Sequence, residues 1–375
     1  MNSLSNLKSQ ISNPRLPAEW EPHAATWLAW PTNKDDWPGK FEPIPWVYAE
    51  IVRALTPGER VRMLVQSSAQ ARRAQGVLSK TGADLSRVDF YECALDRGWM
   101  RDIAPCFVTR NQNRPTSHPS HPSHPSHPSH PSHSSHPLAA AVIFDFNGWA
   151  KYDDWRKDVH AASFLAGTLG LDIVNVVWRD RSVILEGGAI DINGRGMLLA
   201  TEECLMDRQV QARNPGFLKR DYERTFRKYL GITDVIWLGK GIAGDDTHGH
   251  IDDVCRFVGA GTVVLCREDD PADPNYRPLA ENRERLASTR LDVVALPMPA
   301  PVVFDGVRLP ASYANFYIAN TAVLVPAFND KNDRIALGIL AELFPERDVI
   351  GIYARDLVWG LGTIHCLSHE EPAFA

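Results

Sequence analysis

Residues 183–239 read, in order, VILEGGAIDI (183–192), GMLLAT (196–201), RNPGFLKRDYERTFRKYLG (213–231) and DVIWLG (234–239). The first, second and fourth segments are short apolar runs bounded by polar residues or glycine, which is typical of strands. In the third segment, aromatic and aliphatic residues recur near one helical face and precede a glycine that would end the helix: Phe217, Tyr222, Phe226, Tyr229 and Leu230, then Gly231. The stretch therefore predicts a unit of two strands, a helix and a further strand.

The same order of elements recurs along the chain, with poor sequence identity between copies. Five copies can be recognised, within residues 25–66, 100–178, 183–239, 250–297 and 311–354. One unit could not bury its sheet alone, so neighbouring units must pack against one another. The pattern predicts an α/β fold in which five units form one closed, pseudo-symmetric domain over residues 1–375.

Composition and charge narrow the classes of partner. The chain has 375 residues, 40 of them basic and 46 acidic, for a formal charge of −6, which argues against a surface that coats nucleic acid. No apolar run approaches the roughly 20 residues of a membrane-spanning helix, and the N-terminal residues contain no apolar core of a secretory signal. Six cysteines without a CxxC pair favour a reducing compartment and disfavour a thiolate zinc site. We expect a cytoplasmic protein that binds a small molecule, with no nucleic acid and no membrane as partner.

Residues 112–137 read QNRPTSHPSHPSHPSHPSHPSHSSHP and hold seven of the 13 histidines. Proline at nearly every third position excludes a helix or a central strand, and the composition cannot fill a core. We interpret this His/Pro/Ser tract as a solvated loop inserted between two strands, without a function of its own. Its histidines could bind a divalent metal loosely.

Four polar segments interrupt the apolar strands at corresponding points of the units: DRGWMRDIAP (96–105), LEGGAI (185–190), GDDTHGHIDD (244–253) and GLGTIHC (360–366). Carboxylates at strand ends that face a common axis would form an acidic pocket, and such a pocket selects a cation. Strand alternation over residues 250–253 predicts that His250 and Asp252 share one face of a strand. Cys366 follows a glycine turn and is a candidate nucleophile if a remote histidine faces it.

A family resemblance rests on six segments in a fixed order: WMRDIAP, EGGAIDINGRG, ATEECLMDRQVQARNPG, DDTHGHIDD, LPASYANFYIAN and GTIHC. The chain resembles the agmatine deiminase family, which includes bacterial peptidylarginine deiminases, from about Pro17 to the C-terminus. The resemblance implies a five-bladed, pentein-like α/β propeller of ββαβ units. It also implies hydrolysis of a guanidino group, most closely that of agmatine, with no metal or organic cofactor, and a homodimer is the expected oligomer.

The resemblance also implies roles for individual residues. Cys366 corresponds to the nucleophile, His250 to the general acid and base, and Glu186 to a carboxylate that supports the histidine. Four further residues are implied to bind the substrate: Asp102 and Asp252 at the guanidinium, Trp99 beside the aliphatic part, and Asp96 as a more distant acid.

Departures from the family pattern leave the substrate open. Residues 247–250 read THGH where the family has TNGH, and residues 369–371 read HEE where it often has a pair of glutamines. The changed residues could meet the far end of the substrate, so agmatine, peptidylarginine and other guanidino compounds all remain candidates.

Two other classes of function stay open on the sequence. The run from His248 through His250 to Asp252 is similar to the HxHxDH ligands of metallo-β-lactamase-like hydrolases, although it lacks the final histidine. The His/Pro/Ser tract alternatively suggests a non-catalytic metal-binding or scaffolding protein.

Overall fold

The structure is a computed structural model that describes residues 13–110 and 139–374. The predicted insertion at 112–137 lies outside the described residues. The described chain forms a mixed α/β fold in which small sheets alternate with helices, as the sequence predicted for the fold class. Among the described helices, none combines the length and the apolar character that a bilayer crossing would require.

Five sheets share one topology: an antiparallel pair of strands precedes parallel strands that are joined through helices. Sheet 1 contains Ser368–Pro372, His23–Ala29, Arg60–Val65 and Val88–Glu92; sheet 2 contains Pro14–Arg15, Cys106–Arg110, Ala139–Ile143 and Asp172–Asn175. Sheet 3 contains Asp191–Ile192, Met197–Thr201 and Asp234–Leu238; sheet 4 contains Cys255–Gly259, Thr262–Arg267 and Asp292–Pro297; sheet 5 contains Tyr317–Ile318, Ala322–Ala327 and Asp348–Tyr353. Two small hairpins add Val177–Trp178 with Arg181–Ser182, and Val303–Phe304 with Val307–Arg308.

Sheet 1 joins the two ends of the described chain. Its C-terminal strand pairs antiparallel with the strand that opens the first unit, so that Leu28 lies opposite Ser368 and Thr26 opposite Glu370. The first unit is therefore completed by the last strand. Within the described residues, each sheet is open and none closes on itself.

The helices follow the periodic segments of the sequence. The longer ones are Ile44–Leu55, Ser68–Thr81, Ala161–Leu169, Lys219–Leu230, Tyr276–Ala287 and Asp333–Leu343, and the short ones are Met100–Ile103, Glu202–Met206 and Ile364–Leu367. Single 3-10 turns occur at Lys34–Asp36, Leu85–Arg87, Asp158–His160, Gly187–Ala189, Ile251–Asp253 and Leu357–Gly360. In Lys219–Leu230, Tyr222 and Phe226 are fully buried, and Gly231 ends the helix with a φ of 74°. The predicted apolar face of this helix is thus the face that packs.

The predicted strand at residues 250–253 is wrong. Ile251–Asp253 form a 3-10 turn, and the strand begins only at Cys255. The carboxylate of Asp245 accepts hydrogen bonds from the N–H groups of Gly249 (2.7 Å) and His250 (3.0 Å), which curls the backbone before the strand. His250 and Asp252 are both buried, but the turn places them there rather than strand alternation.

A buried ionic network joins the units at the centre of the fold. Arg256 is fully buried and donates to Asp191 (2.8 Å), to Glu19 (2.9 Å) and to the carbonyl of Phe316 (2.8 Å). These partners belong to sheet 3, to the N-terminal segment and to the start of sheet 5. Charges buried in this way must be paired, so Arg256 fixes the spacing between these elements.

Replacing Arg256 by leucine should lower the free energy of unfolding by about 3–5 kcal/mol, because Asp191 and Glu19 would each lose a buried cationic partner. Arg60→Leu is the matched control: it breaks the exposed pair with Asp89, which should cost less than about 1 kcal/mol. Guanidinium chloride unfolding followed by tryptophan fluorescence measures both. Equal losses in the two variants would show that the network does not hold the units together.

Candidate active site

Five side chains occupy the same position in five different sheets. Each lies within five residues ahead of the strand that opens the repeated unit of its sheet: Asp102 before Cys106–Arg110, Glu186 before Asp191–Ile192, Asp252 before Cys255–Gly259, Asn315 before Tyr317–Ile318 and Cys366 before Ser368–Pro372. All five are buried. The repeated unit therefore delivers one polar side chain per sheet to a common centre.

A cavity of about 540 Å³, including its open mouth, leads to this centre. Its walls include Trp99, Trp149, Asp102 and Gly362, and Cys366 is exposed to it. Only 7% of Cys366 is accessible, so a ligand must enter the cavity to reach the sulfur.

Cys366 is held by Asn315 and Asp252. Asn315 Nδ2 donates to the sulfur at 3.1 Å, and the side-chain oxygen Oδ1 of Asn315 accepts from the Cys366 N–H at 3.4 Å. Asp252 Oδ2 lies 3.6 Å from the sulfur. Gly362 leaves the necessary space, because a Cβ there would come within 2.8 Å of the Trp99 ring and 3.2 Å of Cys366 Sγ.

The surroundings of Cys366 favour the neutral thiol while the cavity is empty. Burial raises the pKa of Cys366 well above its usual value, and the carboxylates of Asp252, Asp253 and Asp102 raise it further. The Asn315 hydrogen bond opposes this shift without reversing it. A cation in the cavity would cancel the carboxylate charges and so favour the thiolate.

Three reactive groups close in on Gly188. A Cβ on Gly188 would lie 2.5 Å from His250 Nδ1, 3.0 Å from Asp102 Oδ1 and 3.1 Å from Asp252 Oδ2. Any side chain larger than hydrogen would clash with them. Asp102 also lines the cavity that reaches Cys366, so this cluster adjoins the cavity.

Asp102 is oriented by two donors. The Gly188 N–H donates to Oδ1 and Trp149 Nε1 donates to Oδ2, both at 2.9 Å. Burial raises the pKa of Asp102, and nearby Asp252 and Glu186 add to the effect while His250 opposes it. The sequence contains no local signal for Trp149, which lies 47 residues from its partner.

His250 lies between two carboxylates. Its Nδ1 is 3.9 Å from Asp102 Oδ1 and its Nε2 is 3.8 Å from Glu186 Oε2. Burial disfavours the charged ring, but Asp102, Cys204 and Glu186 outweigh burial and raise the pKa of His250 well above its usual value. The ring can therefore carry a proton at neutral pH.

Glu186 is kept ionised by Arg213. The two side chains are fully buried, and Arg213 Nε donates to Glu186 Oε1 at 3.0 Å. Burial opposes ionisation, yet Arg213 and His250 together lower the pKa of Glu186 to about 2. Arg213 lies 27 residues from Glu186 in the chain, and no local pattern in the sequence pairs them.

His365 positions Asp252 from behind the nucleophile. Its Nδ1 is 2.7 Å from Asp252 Oδ2 and its Nε2 is 2.8 Å from Glu19 Oε2. A ring that meets a carboxylate oxygen at each nitrogen is fixed in its orientation. Burial alone would raise the pKa of Asp252, but His365 outweighs burial and lowers it.

The two remaining predicted residues are placed differently. Trp99 lines the cavity beside Gly362, with its ring centroid 5.5 Å from that of Trp37. Asp96 is not brought into the cavity: its carboxylate accepts from the Lys157 backbone N–H and pairs with Lys157 Nζ, both at 2.8 Å.

The histidine run suggested for a metal-dependent hydrolase does not converge. His248 Nε2 turns to Asp207 at 2.9 Å, while His250 faces Glu186 and Asp102. Within the described residues, the group of possible metal ligands is instead Glu186, Cys204 and His250, whose ligand atoms lie within 4.8 Å of one another.

The chain is similar to known proteins over nearly its whole length. The profile of the Porphyromonas-type peptidyl-arginine deiminase family matches residues 15–372. The chain is 33% identical to an agmatine deiminase of Medicago truncatula over 390 aligned residues, covering 96% of each chain. It is 32% identical to an agmatine deiminase of Pseudomonas aeruginosa, covering 96% of this chain and 95% of the relative.

A solved structure shows the same fold. The agmatine deiminase of Enterococcus faecalis superposes with a TM-score of 0.82 at 27% sequence identity, covering 97% of both chains. Together with the family profile, which spans nearly the whole chain, these matches confirm the resemblance found in the sequence. The chain belongs to the agmatine deiminase and Porphyromonas-type peptidyl-arginine deiminase family.

Proposed function

We propose that this chain hydrolyses agmatine to N-carbamoylputrescine and ammonia through a covalent intermediate on Cys366. One observation carries the proposal. His250, Asp102 and Asp252 converge at Gly188, Asp252 also contacts the Cys366 sulfur, and the cavity is lined by both Asp102 and Cys366. The names of the related agmatine deiminases support the same reaction.

A guanidinium suits the negative charge and the hydrogen-bond acceptors of this cluster. The group is planar, always charged and surrounded by N–H donors, and it pairs well with carboxylates. Asp102 Oδ1 and Asp252 Oδ2 both belong to the cluster at Gly188. Asp252 Oδ1 is buried and has no hydrogen-bond partner among the described residues, so a bound N–H donor would satisfy it.

Two displacement steps complete the reaction. The Cys366 thiolate attacks the central guanidinium carbon and forms a C–S bond, His250 gives a proton to the departing nitrogen, and ammonia leaves as the C–N bond breaks. A water molecule then gives a proton to His250 and its oxygen attacks the same carbon. The C–S bond breaks and the thiolate is restored, the second proton of the water passes to solvent, where ammonia takes it up, and the neutral ureido product leaves.

Substrate binding would itself activate the nucleophile. Three carboxylates keep the thiol protonated in the empty cavity, and the guanidinium supplies the charge that offsets them. The thiolate then forms where the electrophile is already held. Glu186, ionised through Arg213, would stabilise the charged His250 ring during proton transfer.

The cavity charge favours a small cation over free arginine. Among the described residues, four carboxylates line it against one guanidinium: Asp35, Asp36, Asp102 and Asp246 against Arg97. Agmatine brings two positive charges and no carboxylate, whereas free arginine adds a carboxylate that the cavity would repel. Peptidylarginine is the second candidate, because the matching family profile carries that description.

We also propose that the five sheets surround one axis as a five-bladed propeller within a single domain. Support comes from the five site residues that precede the strand that opens the repeated unit of each sheet. The tract 112–137 would be an insertion in one blade. The strands on either side of it pair antiparallel, with Thr109 opposite Ala139.

Agmatine should be converted to N-carbamoylputrescine and ammonia in equal amounts, with a higher kcat/KM than free arginine or an arginyl peptide. Cys366→Ala should lower kcat by at least about a thousandfold, because the attacking group is lost. Cys93→Ala, which alters a half-buried cysteine outside the cavity, is the matched control. Preference for the peptide, or unchanged turnover in Cys366→Ala, would refute the proposal.

Gly188→Ala should lower kcat/KM for agmatine by more than about a hundredfold, because the new methyl group would clash with His250, Asp102 and Asp252 and misplace the reacting atoms. Gly167→Ala provides the control, since a Cβ there meets nothing within 4 Å. Circular dichroism should show both variants folded. Normal turnover in Gly188→Ala would place the guanidinium elsewhere.

Asp252→Asn should move thiol reactivity and turnover in opposite directions. Removing this carboxylate lowers the raised pKa of Cys366 toward its usual value, so alkylation of Cys366 by iodoacetamide should begin at lower pH than in the parent protein. Agmatine turnover should fall because one guanidinium partner is lost.

Asp246→Asn is the matched control, since Asp246 lines the cavity but is not among the main groups that raise the pKa of Cys366. Labelling that persists in Cys366→Ala is subtracted, which isolates this cysteine from the other five. If the pH profile of alkylation stays unchanged in Asp252→Asn, Asp252 does not control the thiol.

A further inference from the structure

We propose that Glu186, Cys204 and His250 form a binding site for a zinc-class divalent cation, and that the bound ion inhibits the enzyme. One ligand atom from each residue lies within 4.8 Å of the others, and all three residues are buried. The binding half of this proposal stands independently. The inhibition half rests on the proposed function, in which His250 moves protons.

Two of the three ligands are linked by the hydrogen bonds of one residue, Thr201. Cys204 belongs to the short helix Glu202–Met206, whose N-terminus is capped by Thr201 Oγ1 accepting from the Cys204 N–H at 3.0 Å. The same Thr201 hydroxyl donates to the Gly249 carbonyl at 2.5 Å, next to His250. Thr201 therefore fixes the cysteine and the histidine relative to each other.

Unpaired buried atoms point to a missing ligand. Glu186 Oε2 and both ring nitrogens of His250 have no hydrogen-bond partner among the described residues. Glu186 is 0% and His250 1% exposed. Buried polar atoms without partners are rare because each costs free energy, so such a cluster indicates a ligand that completes it.

A bound guanidinium would provide a partner for only one ring nitrogen of His250. Nδ1 faces Gly188, whereas Nε2 faces Glu186 Oε2 at 3.8 Å. Cys204 is not among the residues that line the cavity. The metal site would therefore use the edge of the ring that the substrate does not use.

The ligand set selects a particular class of ion. A thiolate, an imidazole and a carboxylate suit Zn²⁺ and Co²⁺, whereas Mg²⁺ and Ca²⁺ prefer oxygen ligands. Zinc bonds of about 2.0–2.2 Å to nitrogen and oxygen in a tetrahedral site give a nitrogen–oxygen separation of about 3.3–3.5 Å. His250 Nε2 and Glu186 Oε2 are 3.8 Å apart, so the two side chains would move slightly closer when the ion binds.

Occupation of the site would stop proton transfer by His250. A metal ion on Nε2 prevents the ring from holding a proton at both nitrogens, so His250 could no longer protonate the departing nitrogen. The ion would also engage Glu186. Because Asp102 and Asp252 stay available to the guanidinium, inhibition should lower kcat more than it raises KM.

Cobalt binding to the full-length, metal-free protein tests the site directly. Co²⁺ bound to a cysteine thiolate gives a charge-transfer absorption band that histidine-only sites lack. Residues 112–137 contain histidines but no cysteine, so this band does not report on the tract. We expect the band in the parent protein and in Cys366→Ala, and its loss in Cys204→Ser.

Zinc inhibition tests the consequence. Zn²⁺ should inhibit agmatine turnover reversibly, with activity restored by a chelator. Cys204→Ser should need at least about tenfold more Zn²⁺ for half-inhibition, each variant being compared with its own uninhibited rate. If Cys204→Ser does not fold, Glu186→Gln replaces it in the cobalt titration, since it removes another ligand and keeps the thiol.

Three outcomes would overturn the proposal: no charge-transfer band in the parent protein, a band lost in Cys366→Ala but kept in Cys204→Ser, or equal zinc inhibition of the parent and Cys204→Ser. Failure of the proposed function would be separately visible. In that case agmatine would not react, while the Cys204-dependent cobalt band would remain.

Discussion

The buried carboxylate of Glu19 is the point at which the units of this fold meet. It accepts hydrogen bonds from Arg101, Arg256 and His365 and from the backbone N–H of Ile318. Burial disfavours its charge, but Arg256, His365 and Arg101 outweigh burial and hold the pKa of Glu19 well below its usual value. Because an unpaired buried charge is costly, these donors must keep their positions. The geometry of the nucleophile follows, since Cys366 adjoins His365.

The two sides of His365 differ in how completely their charges are paired. Toward the centre of the fold, Glu19 is fully surrounded by protein donors. Toward the cavity, Asp252 shares one oxygen with His365 and leaves the other unpaired within the described chain. The carboxylate of Asp102 also faces the cavity. A substrate cation would complete this partial pairing, so recognition of charge and activation of the Cys366 thiol have the same electrostatic origin.

Much of the site could be predicted because the chain repeats one unit. The polar segments occupy the same point of each unit, and side chains placed just before equivalent strands gather at one centre, as Asp102, Glu186 and Cys366 do. The prediction for residues 250–253 failed because the Asp245 carboxylate curls the backbone into a turn. Asp96 lies outside the cavity because Lys157, 61 residues away, binds its carboxylate.

By itself, the sequence determined the strand and helix order of the units, the α/β class and the residue types of the site, since these depend on local patterns of polarity and glycine. Only the tertiary structure decided which residues support them. Trp149 orients Asp102, Asn315 holds the Cys366 sulfur, and Glu19 meets His365 across 346 residues of sequence. No local pattern specifies such pairs, because their energy depends on burial and charge that exist only after distant segments pack together.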